Sequence, residues 1–513
     1  MRLTHLTHAV LQPGFEGTTA PDWVRRRIAD QGLASVVLFG RNISTPEQVA
    51  RLTAALRAEN PDLIVAIDEE AGDVTRLEAW TGASRPGNLA LGSVDDTALT
   101  EEVARDIGRE LHAAGVTLDY APSADVNSNP RNPVIGVRSF GSSTALVARH
   151  TAAWVRGLQS AGVAACAKHF PGHGDTAVDS HHDLPTVTAS AASVAGTALP
   201  PFVAAIGAGV RAVMTGHLLV PALDPDLPAT LSRRVLVDLL RTRLGFDGMV
   251  VTDGIEMSAV TSRYGIDGAT VRAVAGGADA VCVGGEIAAE ETTERLTAAL
   301  AKAVHDGTLP EERLAEAAGR VAEFAAWSGE RFRGRTAEHG ARSDVGLRAA
   351  RRALRVTGAA TAALPLGADP HVVELAPAST LAIDRQTPWG LAAPLRALRP
   401  ATTSVRLTQP ELARDAAVLE RVVLVPAVGR PLVVVVRDAA RHSWMAGALG
   451  RLLRRRPDAV VVEMGVPGAD TPGAPHLATH GATRVSGLAA AEFLTGANGT
   501  DANGTHTNGT GTF

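Results

Sequence analysis

Val163-Ala164-Ala165-Cys166-Ala167-Lys168-His169-Phe170-Pro171-Gly172-His173-Gly174 changes character halfway along. Its first five residues are apolar and read as a buried strand. From Lys168 onward the segment is polar, and Pro171 with Gly172 and Gly174 forbids a regular helix or strand. Asp175, Asp179, His181, His182 and Asp183 follow closely. A charged cluster therefore sits where a strand ends, on the kind of loop that carries function. Lys168 sharpens the point. The chain uses arginine almost to the exclusion of lysine, the only other being Lys302. A compact ammonium and a planar guanidinium do not substitute for each other at a tight site.

Further apolar runs lie on either side, at 9–12, 36–39, 63–67, 116–122, 212–215, 249–252 and 280–283. They alternate with helical patterns such as 22–30, 46–58, 99–114, 145–160, 233–244 and 290–305. Eight strand-then-helix units in a row predict an α/β fold, a parallel (β/α)8 barrel of the TIM type; an open doubly wound sheet is the rival. Active sites of such barrels lie at the C-terminal ends of the strands. Polar residues recur there: Asp68 after the third run, Asp125 near the fourth, Lys168 and His169 after the fifth, His217 after the sixth and Asp253 after the seventh. Strand-end caps account for one or two such residues, but not for the series.

The expected catalytic barrel covers 1–326. Residues 327–346 are charged and Gly-rich without periodicity, and read as a linker. Apolar runs at 372–375, 422–425, 432–436 and 459–462, with helical stretches near 411–418 and 443–453, predict a smaller α/β sandwich domain over 347–495. From 496 to 513 the chain repeats Asn-Gly-Thr. Each repeat fits a glycosylation sequon, but the expectation is a disordered low-complexity tail.

Bulk composition narrows the functions. The chain of 513 residues is 45% hydrophobic and 20% charged, as soluble globular proteins are, and long enough for two cores. A formal net charge of -5 gives no reason to expect nucleic acid or a charged membrane as a partner. An aromatic content of 4% argues against a broad polysaccharide-binding surface. Cys166 and Cys282 both lie in apolar runs, which points to packing rather than disulfides. With no apolar leader or membrane-length run, the expected location is the cytoplasm.

Asp253 in Thr252-Asp253-Gly254-Ile255-Glu256-Met257 would be presented rigidly by a barrel strand. A carboxylate so placed can attack an anomeric carbon to form a glycosyl-enzyme, although it could also cap the next helix. Asp179 and His181 are two residues apart, so the carboxylate can hold the imidazole tautomer and stabilise its cation. A histidine paired in this way can protonate a leaving oxygen and then activate water. Zinc is the competing use of such residues, but known zinc motifs are not matched, and no metal or cofactor is expected. Asp68 with Arg76 could clamp vicinal hydroxyls, and Arg138 could donate to the same ligand.

Together these segments resemble glycoside hydrolase family 3, in its bacterial β-N-acetylglucosaminidase branch. The resemblance covers about residues 1–325. It implies that Asp253 is the nucleophile and that Asp179–His181 is the acid/base dyad. It also implies that Asp68, Arg76, Arg138, Lys168, His169 and His217 hold the non-reducing sugar, and that the enzyme retains anomeric configuration. The expected substrates are small cell-wall (muropeptide) or chitin-derived oligosaccharides. Two positions depart from the family pattern. Ala71-Gly72 stands where the family usually has Gly-Gly, so a left-handed backbone there would strain Ala71. Gly254 follows the nucleophile where Asp or Ala is frequent. A β-N-acetylglucosaminide phosphorylase and a family 3 β-glucosidase are the alternatives within this chemistry. A non-catalytic sugar sensor is the alternative outside it.

Overall fold

The computed structural model describes residues 3–177, 184–285, 288–334, 343–358, 364–378, 383–384, 386–415, 417–468 and 474–497. The chain divides into two compact units. One is Met1–Ala353 with Ser379–Pro388; the other is Leu354–Ala378 with Trp389–Phe513.

Among the described residues the first unit contains eight short strands: β1 (Leu11–Pro13), β2 (Ser35–Leu38), β3 (Ile64–Ile67), β4 (Leu118–Asp119), β5 (Ala164–Phe170), β6 (Ala212–Thr215), β7 (Met249–Thr252) and β8 (Val281–Val283). β2 to β7 form one sheet in chain order, every neighbouring pair parallel. β1 pairs with β8, also in parallel, as a separate two-stranded ladder. The expected single run of eight strands is thus seen as six plus two. Three strands have only two or three residues, too few for continuous pairing. The two ladders meet through short links. Beside β7 the Thr252 N–H donates to the Ala280 carbonyl at 3.0 Å and the Ala280 N–H to the Val250 carbonyl at 3.1 Å, around a bridge from Val251 to Ala280. Beside β1 the Ser35 hydroxyl donates to the Leu11 carbonyl.

Every residue of these eight strands is buried, which explains why the runs read as largely apolar rather than alternating. Lys168 and His169, expected beyond the fifth run, lie within β5 itself. Alternation survives in which core each side chain enters. Val37, Ile64, Ala66, Leu118, Cys166, Met214, Met249 and Val251 share one core with Val321, Phe324 and Ala325 of the helix Glu311–Arg333. Val36, Leu38, Val65, Ile67, Ala165, Val213 and Val250 face the other way, against the surrounding helices.

Among the described residues the second unit has one six-stranded sheet. Its strands are β9 (Arg355–Thr357), β10 (His371–Ala376), β11 (Thr403–Thr408), β12 (Leu432–Val436), β13 (Val460–Glu463) and β14 (His476–Ala478), in the order β11-β10-β12-β13-β14-β9. Only β9 is antiparallel to its neighbour. Separate apolar cores cover the two faces, one with Val434 and Leu452, the other with Val433 and Leu494.

Three sequence expectations need correction. The apolar run at 422–425 is not a strand: it ends the helix Glu420–Leu424, with Val425 as its C-terminal cap. A short β-branched run cannot be assigned from periodicity alone, and here Val423 is buried while Val425 is 59% exposed. Conversely, Thr403–Thr408 is a strand that its polar residues concealed; it lies at the sheet edge with mostly exposed side chains. The linker read from 327 begins inside a helix, since Glu311–Arg333 continues past it with Ser328 and Gly329 buried. The helix Val345–Ala353 belongs to the first unit: Val345 and Ala349 enter its core, and Gly346 leaves no room for a Cβ against the Ser84 carbonyl. The Asn-Gly-Thr tail lies outside the described residues.

Candidate active site

Polar residues stand at the ends of β3 to β7, and two clusters result. The first is built on β3, β4 and β5. Immediately after β3, Asp68-Glu69-Glu70 splits its three carboxylates among different tasks. Glu69 is buried, and its Oε2 accepts the peptide N–H groups of Arg76 at 2.8 Å and Leu77 at 3.0 Å. Its own N–H donates to Asp119 Oδ1 at 2.9 Å. Glu69 thereby shapes the following loop. Burial pushes its carboxyl up to about 7, against the pull of those two amides.

Glu70 is the centre of this cluster. Lys168 Nζ lies 2.6 Å from its Oε1 and 2.5 Å from Asp68 Oδ1. Arg138 meets Glu70 with two parallel bonds, Nη2 to Oε1 at 2.7 Å and Nε to Oε2 at 2.9 Å. Burial works against all three charges, but their mutual attraction outweighs it. Glu70 is held well below the usual carboxylate range, while Lys168 and Arg138 are pushed above their ordinary values. The ion partner of Asp68 is thus Lys168, whereas the sequence suggested Arg76.

Asp125, fully buried beyond β4, organises the loop after β5. It accepts the His169 ring at 2.8 Å, the His173 peptide N–H at 2.6 Å and the Ser123 hydroxyl at 3.0 Å. Burial raises its carboxyl, but the histidines prevail and the net shift is downward. Arg138 Nη2 lies 3.4 Å from His169 Nε2. A guanidinium can only donate, so Nε2 accepts and the ring proton sits on Nδ1, facing Asp125. The His173 ring bonds Thr176 Oγ1 at 2.8 Å. Burial, with His169 beside it, takes the His173 imidazole down to about 4. The loop fits because of its glycines: a Cβ on Gly174 would collide with the Val126 carbonyl.

The turn that carries Glu70 also has a strained point. Ala71 has φ +58° and Gly72 φ +68°, both left-handed. A Cβ on Gly72 would come within 2.5 Å of Gly87 Cα, so glycine is required there. Ala71 bears the strain anticipated from the sequence.

The second cluster joins β6, β7 and β8. Asp253 follows β7; its N–H donates to the Thr215 carbonyl at 3.1 Å, and its Oδ1 accepts the Gly254 N–H at 2.8 Å. His217 Nε2 is 2.9 Å from the Gly254 carbonyl and Nδ1 is 2.9 Å from Thr230 Oγ1. A carbonyl can only accept, so Nε2 carries a proton. Both ring nitrogens have protein partners, so His217 braces the turn that presents Asp253. Glu256 Oε1 accepts the N–H groups of Gly284 at 3.1 Å and Gly285 at 2.5 Å, tying this turn to the end of β8.

Asp68, Lys168, Arg138 and His169 thus meet in one network, and Asp253 and His217 in another. Asp179 and His181 lie outside the described residues. Glu70 was not singled out from the sequence, and Asp125 was noted only as a strand-end acid. The signal for Glu70 was the Glu69-Glu70 doublet directly behind a buried strand, where charge needs a partner. Among the described residues, no group of three His, Cys, Asp or Glu side chains is placed to hold a metal ion, and no helix is long and apolar enough to cross a membrane.

Residues 11–324 match the glycosyl hydrolase family 3 N-terminal domain. A β-hexosaminidase A of Pseudoalteromonas piscicida is 34% identical over 331 residues, which is 60% of this chain and 55% of that protein. The chain therefore spans about half the length of that relative. A β-hexosaminidase of Alkalilimnicola ehrlichii is 38% identical over 255 residues, 48% of this chain and 73% of that one. Among solved structures, a glycoside hydrolase family 3 β-N-acetylglucosaminidase from a Paenibacillus species superposes with a TM-score of 0.84 at 33% identity, covering 97% of both chains.

Proposed function

The chain belongs to glycosyl hydrolase family 3, and from that premise we propose that it is a retaining exo-β-N-acetylglucosaminidase acting on small oligosaccharides. The observation that carries this reading is the pairing of two strand-end clusters: a charge-balanced, buried donor–acceptor network at β3–β5, and a carboxylate held by backbone at the end of β7. Likeness over nearly the full length to a β-N-acetylglucosaminidase supports the choice of sugar. In this reading β1 to β8 form one closed barrel, with the β1–β8 pair as its seam.

Asp68, Lys168, Arg138, Arg76 and His169 bind the hydroxyls of the terminal sugar. Their geometry is set before substrate arrives, because Glu70 and Asp125 lock the cations. One oxygen of Asp253 then attacks the anomeric carbon as the bond to the leaving oxygen breaks. His181, supported by Asp179, gives that oxygen its proton. In the second half His181 takes a proton from water, water attacks the same carbon, and Asp253 departs as carboxylate. The sugar leaves in the β configuration.

A phosphorylase would need cations available to incoming phosphate. Lys168 and Arg138 are already matched by Asp68 and Glu70, which favours water as the acceptor. The test is incubation with a chromogenic β-N-acetylglucosaminide in phosphate buffer, followed by NMR. Release of β-configured N-acetylglucosamine, lost in Asp253→Ala, is the expected result. N-acetylglucosamine 1-phosphate would make the protein a phosphorylase. Cleavage of the matching β-glucoside alone would make it a glucosidase. The dyad has its own check: the basic limb of the pH–rate profile should shift or vanish in His181→Ala.

A further inference from the structure

Trp80 presents a large apolar surface to water on the loop that follows β3. It is 57% exposed, and among the described residues it is the exposed aromatic side chain of the first unit. Single exposed apolar residues are common on protein surfaces and need no function. Trp80 differs because it is held in place from several sides.

Its flanking residues Leu77 and Ala79 are buried. Its turn is closed by Thr81 and Gly82 N–H groups donating to the Glu78 carbonyl at 3.1 Å and 2.8 Å. The Glu78 carboxylate accepts the Ser84 N–H at 2.6 Å and the Ser84 hydroxyl at 2.7 Å, fixing the far side. The indole N–H points at the Ile43 carbonyl, 3.4 Å away, on the loop after β2. That loop is tied down too, since Asn42 Nδ2 donates to the Phe15 and Gly17 carbonyls, each at 2.8 Å. The polar edge of the ring is thus directed toward protein while much of the side chain stays in water. Finally, the turn grows directly from the charged network at the end of β3. Glu69, between Asp68 and Glu70, holds the Arg76 and Leu77 amides from which it starts.

We propose that Trp80 is a stacking platform for a leaving-group sugar, the ring next to the one that is cleaved off. This rests on the glycosidase reading above. A β-linked pyranose offers a face of C–H bonds with partial positive charge, which suits the negative face of an indole. An ordered ring loses little entropy on binding, so the exposed area becomes affinity with small offset. A single platform also suits a chain that has little aromatic surface for a long polymer: it grips one extra ring, as an exo-acting enzyme on short chains requires.

The test compares kcat/KM for β-1,4-linked tri-N-acetylchitotriose with kcat/KM for methyl β-N-acetylglucosaminide, whose methyl aglycone is too small to cover an indole. In Trp80→Ala the ratio of the two should fall about 2- to 10-fold, mainly through KM for the trisaccharide. Trp80→Phe should recover much of it. A ratio equal to wild type in Trp80→Ala would overturn the platform while leaving the glycosidase reading intact. Failure of the wild-type protein to cleave either substrate would overturn the glycosidase reading, and the platform with it. Trp80 is exposed, so both variants should fold, and unchanged thermal unfolding will confirm that.

Discussion

Lys168 Nζ lies 2.6 Å from Glu70 Oε1, and both side chains are almost wholly withdrawn from water, at 2% and 3% exposure. Neither charge could remain there alone. Glu70 also carries Arg138, so one carboxylate holds two cations, and Asp68 supplies the second negative charge. Glu70→Ala should therefore destabilise the first unit by about 3–5 kcal/mol, the usual consequence of stranding buried charge. Urea unfolding followed by circular dichroism measures this, and a loss under 1 kcal/mol would mean that the network is not what holds the loops.

Lys168→Arg should abolish most activity although charge is kept. The ammonium sits between two carboxylate oxygens at 2.5 Å and 2.6 Å, and a longer planar guanidinium cannot occupy that point without moving Arg138. Steady-state kinetics on the chromogenic substrate decide it; near wild-type turnover would contradict this packing.

Ala71 pays for its left-handed backbone, with φ +58°. Ala71→Gly should raise stability by about 0.5–1 kcal/mol, the relief of the Cβ clash less the extra freedom of glycine in the unfolded chain. Thermal unfolding of the variant gives the answer. Lower stability would show that the turn favours the methyl group, which is 4% exposed, for its packing.

Glu69 confers a pH dependence whose sign follows from its upward shift. Burial raises its carboxyl from 4.5 to about 7 in the folded protein, so the native state holds a proton that the unfolded chain releases. Its contribution is most favourable below about 4.5 and is lost as pH rises to about 7. Glu69→Gln keeps an oxygen for the Arg76 and Leu77 amides. It should be more stable than wild type at pH 8, by on the order of 1–3 kcal/mol, with the gap closing near pH 4.5. Unfolding curves at the two pH values test this, and a gap that does not change with pH would reject the assignment. His173 works in the opposite sense. Its imidazole is depressed from 6.5 to about 4, so its contribution is lost as pH falls through that interval.

Gly174→Ala should cost about 3 kcal/mol or more, because the added methyl meets the Val126 carbonyl rather than a movable side chain. Activity should fall with it, since the His173 N–H contact to Asp125 lies in the same loop. A folded variant of normal activity would show that the loop has slack.

The sequence by itself determined the parallel α/β organisation of the first unit and which charged residues stand near the ends of its strands. Runs such as 212–215 and 249–252 match the observed strands because parallel strands are buried on both faces and must be apolar throughout. Lys168, His169 and Asp253 were legible for the complementary reason: charge directly behind such a run is costly unless it has work to do or a partner. Tertiary structure alone decided the partners. That Lys168 pairs with Asp68 and Glu70, a hundred residues away in sequence, depends on which strand ends converge, and local spacing does not carry that information. It also decided where a short apolar run such as 422–425 belongs, since only packing distinguishes a helix with one buried face from a strand.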